Sequence, residues 1–98
     1  MIIICGTIEV TEAGIAPYKA AAGPATEASL KEEGCGTYGF YQSIDNPCLF
    51  RVYEEWESKE HLRAHGASAH FAAFGAAIKD IVVARKITMI EPERMRDL

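Results

Sequence analysis

The stretch Leu49-Phe50-Arg51-Val52-Tyr53-Glu54-Glu55-Trp56 carries large apolar groups on both of its alternation sets, with Phe50, Val52 and Trp56 on one and Leu49 and Tyr53 on the other. Successive side chains of a strand point to opposite faces of its sheet, so a strand of this composition needs cover on both sides. The run 37–43 repeats the pattern, with Tyr38 and Phe40 set against Tyr41. Asp45-Asn46-Pro47 between the two runs is turn chemistry. Together they predict a hairpin.

The rest of the chain places elements around that hairpin. Residues 2–10, with Ile2, Ile4, Ile8 and Val10 at alternating positions, predict a first strand. Thr11-Glu12-Ala13-Gly14 turns into a helix from about Ile15, where Pro17 is tolerated because a first-turn N–H has no partner anyway. Gly23-Pro24 predicts a kink or a break, with the helix resuming over 25–33 and Gly34 closing it as a left-handed cap. Ser58 starts a further helix, and Gly66 divides it from a stretch beginning near Ser68 in which His70/Phe71, Phe74 and Ile78 recur at helical spacing. Residues 82–90 predict the last strand, stopped by Pro92. The order β-α-β-β-α-β predicts a ferredoxin-like α+β domain, a four-stranded antiparallel sheet with its helices on one face. Those helices cover one apolar side only. The other predicts a homodimer with two sheets packed face to face.

Ninety-eight residues make one domain, 1–98. A net charge of -4, with no basic run longer than Arg85-Lys86, argues against a nucleic-acid partner. No apolar block approaches the ~20 residues of a membrane span, and Met1-Ile2-Ile3-Ile4-Cys5 lacks the basic leader and cleavage site of a signal peptide. Cys5, Cys35 and Cys48 form no Cys-x-x-Cys pair and suit reduced thiols. The expectation is a cytoplasmic chain with neither membrane nor nucleic acid as partner.

Three stretches resemble the antibiotic biosynthesis monooxygenase family: Leu30-Lys31-Glu32-Glu33-Gly34-Cys35 followed by Tyr38, then Glu54-Glu55-Trp56-Glu57-Ser58 with His61-Leu62 and Ala64-His65, and finally Ser68-Ala69-His70-Phe71. The likeness is greatest to the small bacterial quinol monooxygenases and runs in order over nearly the whole chain. It implies a dimeric α/β barrel. It also implies a cofactor-independent monooxygenase acting on a quinol-like or polycyclic phenolic molecule with dioxygen. Other members of the family degrade haem, and the places of that branch's motif here hold Cys5 or Gly6, His65 and Gly75, all departures from it. A non-enzymic small-molecule-binding or stress-associated dimer, and an isomerase of the same barrel type, are the rival readings.

Oxygenation without a cofactor needs a dry apolar pocket, a group that draws a phenolic proton and a donor for developing oxygen charge. His65 and His70 are the candidate bases, their convergence depending on the break at Gly66. Glu54 shares a strand face with Phe50, Val52 and Trp56 and is the third catalytic candidate, set against a plain ion pair with Arg51, Arg85 or Lys86. Tyr38, Phe40, Trp56, Phe71 and Phe74 are the candidate substrate-binding residues, Trp56 and Phe71 above all. His61-x-x-x-His65 has zinc-like spacing but neither an adjacent glutamate base nor an evident third ligand, so no metal is expected.

Overall fold

The computed structural model describes residues 1–98. The elements are β1 (Ile2–Val10), α1 (Ile15–Leu30), β2 (Cys35–Gln42), β3 (Leu49–Trp56), α2 (Lys59–Gly66), α3 (Ala69–Ile78) and β4 (Val82–Ile90). One antiparallel sheet holds the strands in the order β2-β3-β1-β4. This is the ferredoxin-like α+β arrangement that the pattern predicts. No helix is long and apolar enough to cross a membrane.

Local chemistry sets most boundaries. Ser58 Oγ accepts from the His61 N–H at 3.3 Å and Ser68 Oγ from the Phe71 N–H at 3.2 Å, so each of the two short helices starts on a serine cap. Between β2 and β3, Ser43 Oγ accepts from the Asp45 and Asn46 N–H groups, and Asn46 Oδ1 from that of Cys48, which closes the hairpin.

Helix α1 departs from its sequence pattern. It runs unbroken through Gly23-Pro24, because Tyr18, Ala25 and Ser29 lie buried along it and that packing outweighs the bond lost at Pro24. It also ends at Leu30 rather than at Glu33. Gly34 does adopt a left-handed backbone, φ 82°, but in the turn that feeds β2. A Cβ there would strike the His61 ring, and the Gly34 carbonyl accepts the Glu57 N–H at 2.8 Å. Pairing of Cys35 with Trp56 starts β2 two residues earlier than its aromatic run suggests.

On the helix side of the sheet, Ile8, Val10, Phe50 and Val52 pack with Tyr18 of α1 and Ile78 of α3, and Ile2, Tyr38 and Trp56 form a second cluster. The other face carries Leu49, Arg51, Tyr53 and Glu55 of β3 beside Cys5 and Thr7 of β1 and Lys86 and Thr88 of β4. Apolar groups there alternate with charged ones, so the second face is a mosaic rather than the continuous apolar surface expected from β3 alone. Helices leave β4 largely uncovered, with Ile87 and Met89 exposed on its helix side.

Candidate functional site

A cavity of about 340 Å³ lies between the helix side of the sheet and the helices α2 and α3. Ile4 and Val52 line it from the sheet, Tyr38 and Phe40 from β2, and Phe71 and Phe74 from α3. Its charged or basic lining groups are Glu54, His65 and Arg85, the last on the uncovered strand β4. An apolar space with a few polar groups is the usual form of a small-molecule site.

His65 ends α2 and is 3% exposed. Its ring packs on Trp56 at 4.7 Å between centroids, on Phe71 at 5.1 Å and on Tyr38 at 5.4 Å. Its Nδ1 lies 2.6 Å from Glu32 Oε2, and His70 Nε2 lies 2.8 Å from the same oxygen. A carboxylate only accepts, so His65 Nδ1 carries the ring proton and Nε2 is left as an acceptor. That Nε2 is buried and has no partner. Unpaired buried polar atoms are uncommon, and in a cavity wall they mark a place for a ligand group.

Glu54, 7% exposed on β3, accepts a hydrogen bond from Trp56 Nε1 at 2.8 Å. Burial pushes its carboxyl above the usual range, the Trp56 bond and His65 pull it back, and Glu32 pushes it further up. The ion pair weighed from the sequence does not form within the chain. Arg51 and Lys86 both pair opposite Thr7 of β1 and so lie on the other face of the sheet, Arg85 shares the cavity wall with Glu54 without forming an ion pair to it, and the indole serves as partner instead. Burial, with Glu54 adding to it, holds the Tyr38 hydroxyl above its ordinary range, so that group is a donor rather than a phenolate.

Of the residues singled out from the sequence, His65, Glu54, Tyr38, Phe40, Phe71 and Phe74 are in the cavity wall. Trp56 and His70 are not. Trp56 lies against His65 and Glu54, and His70, 28% exposed at its side chain, meets His65 across Glu32. His61 turns to Ser58, with Nδ1 2.8 Å from Oγ, and forms no pair with His65. Glu32 is the site residue that sequence reasoning missed. It sits in the turn after α1, 33 and 38 positions before the histidines it bridges, and no local spacing announces such a contact.

A family model described as antibiotic biosynthesis monooxygenase matches residues 1–77. The Escherichia coli K12 protein named "Probable quinol monooxygenase YgiN" is 33% identical over a 72-residue alignment covering 64% of this chain and 68% of that protein. Among solved structures, a conserved protein of unknown function from Bacteroides thetaiotaomicron has a TM-score of 0.85 at 31% identity, over 91% of this chain and 94% of that one. A candidate antibiotic biosynthesis monooxygenase from Deinococcus radiodurans reaches 0.92 at 23% identity, over 100% and 98%, a likeness of fold.

Proposed function

This chain belongs to the antibiotic biosynthesis monooxygenase family, and on that premise we propose that it oxygenates a quinol-like or polycyclic phenolic small molecule with dioxygen, without a cofactor. It would do so as a cytoplasmic homodimer. The observation that carries the proposal is His65, a buried imidazole in the wall of an apolar cavity, with Nδ1 tied to Glu32 and Nε2 unpartnered.

The chemistry follows from that tautomer. A phenol O–H in the cavity donates to His65 Nε2 and passes its proton there. In water this transfer is uphill by about 5 kcal/mol, from a phenol near pKa ~10 to an imidazole near ~6.5. The Glu32 carboxylate against Nδ1 fixes the tautomer and holds the ring so that Nε2 faces the phenol. The deprotonated ring gives an electron to dioxygen, and the two radicals join in a C–O bond as a ring peroxide. The O–O bond then breaks. One oxygen stays on the ring and the other leaves as water, taking back the proton held by His65. A hydroquinone and dioxygen thus become a hydroxyquinone and water, with all four electrons drawn from the ring. Glu54, whose carboxyl keeps its proton to higher pH than usual, and the Tyr38 hydroxyl are the wall groups suited to hydrogen-bond the peroxide.

Dimerisation draws support from the helix-free face, where Tyr41, Leu49 and Tyr53 have no cover of their own. The test of function is oxygen uptake with one- and two-ring hydroquinones in buffer containing a chelator. Uptake above the buffer rate is expected. Binding in the cavity with uptake at the buffer rate for every hydroquinone would reduce the protein to a small-molecule-binding module.

A further inference from the structure

We propose that Glu32, His65 and His70 form a site for one divalent transition-metal ion, zinc being the best match, and that filling it switches His65 off as a base. The second half rests on the role given to His65 above. The first does not.

Three separate segments bring the ligands together: the turn after α1 supplies Glu32, the end of α2 supplies His65 and the start of α3 supplies His70. Glu32 Oε2, His65 Nδ1 and His70 Nε2 all lie within 4.8 Å of one another. Two imidazoles and a carboxylate are the donor set of zinc and its neighbours, whereas calcium and magnesium take oxygen ligands. A tetrahedral ion with bonds of ~2.0–2.1 Å holds its ligand atoms about 3.4 Å apart. The carboxylate contacts, at 2.6 and 2.8 Å, are shorter than this and hold the cluster closed around protons. Movements of less than about 1 Å by the Glu32 and His70 side chains open it to that size. Both are partly exposed, 17% and 28%, so those movements meet little resistance and water has access to a fourth position. No lysine or arginine pairs with Glu32, whose ion-pair partners are the two imidazoles alone.

Neither Glu32 nor His70 is in the cavity wall. The ion would therefore bind His65 on its Nδ1 side, away from the substrate. A neutral imidazole keeps one ring proton, and a metal on Nδ1 forces that proton onto Nε2. No proton is gained or lost, but Nε2 changes from acceptor to donor and can no longer take one from a phenol. The site is thus an inhibitory one, read out through a tautomer.

Metal-free protein is titrated with zinc by calorimetry and with cobalt by its visible absorption, in the absence of substrate. One ion per chain is expected. His70→Ala and Glu32→Gln should weaken binding at least about tenfold, and His61→Ala, at the rival i, i+4 spacing, should leave it unchanged. His70 is exposed enough for its variant to fold, which circular dichroism checks. No binding by the wild type, equal binding by His70→Ala, or an equal loss in His61→Ala would overturn the site. Zinc should also suppress oxygen uptake by the wild type, with the sensitivity lost in His70→Ala. Uptake unchanged at saturating zinc would overturn the switch. If the metal-free protein takes up no oxygen at all, the proposed oxygenation fails while the titration still decides the metal site.

Discussion

Replacing His65 with glutamine is expected to lower hydroquinone-dependent oxygen uptake by about 10²–10⁴-fold, the usual contribution of a positioned general base. Glutamine suits the test because its amide N–H can still donate to Glu32, so the carboxylate keeps a partner on that side. An amide takes up no proton at neutral pH, and that is the one property removed. Some stability will go as well, since the imidazole packs on Trp56, Tyr38 and Phe71. A loss of about 1–3 kcal/mol is in the common range for such a site and is measurable separately by denaturant unfolding. Uptake within a few-fold of wild type by a folded His65→Gln protein would remove His65 from the mechanism.

The largest effect on stability is expected at Trp56. The side chain is 1% exposed, sits in the cluster with Ile2 and Tyr38, lies on the His65 ring and donates to Glu54. Trp56→Ala should cost about 3–5 kcal/mol for the lost packing alone. A domain of this size has about 5–15 kcal/mol in total, so the variant should lose a large share of its stability and unfold at a much lower urea concentration than the wild type. Trp56→Phe isolates the hydrogen bond. It retains most of the ring but strips Glu54 of its donor, at about 1–3 kcal/mol. Here pH adds a signature. The carboxyl of Glu54 is already raised in the folded protein, so its contribution to stability is complete below the unfolded carboxyl pKa and is lost as pH rises through the folded one. Without the indole the folded pKa climbs further. The stability gap between wild type and Trp56→Phe should therefore widen as pH rises through that range, as read from urea midpoints over a pH series. A gap that is constant or narrows with pH would mean that the indole does not hold the charged carboxylate.

Strands such as Ile2–Val10 and Leu49–Trp56 are legible to the residue, because period-two alternation and the turn residues after Val10 and before Leu49 are local signals. The serine caps of α2 and α3 are equally local. Helix α1 is not, since Gly23-Pro24 signals a break by propensity and only the burial of Tyr18, Ala25 and Ser29 overrules it. The site divides in the same way. His65 is legible as a histidine amid aromatic and small residues next to a helix break. Its partner Glu32 is not, because the contact depends on how α1 packs across the sheet, and nothing distinguishes Glu32 from Glu33 in the sequence. Trp56 shows the converse. An aromatic on an apolar strand face suggests a substrate wall, whereas the fold uses its ring to carry His65 and its N–H to hold Glu54.

The proposed oxygenation requires a phenol to meet His65 Nε2 inside the cavity. A crystal structure with an unreactive phenol such as a naphthol tests it most directly. The ring is expected between Phe40, Phe71 and Phe74, with its oxygen within about 3.2 Å of Nε2. A naphthol bound outside the cavity, or inside it with the hydroxyl turned away from His65, would contradict it.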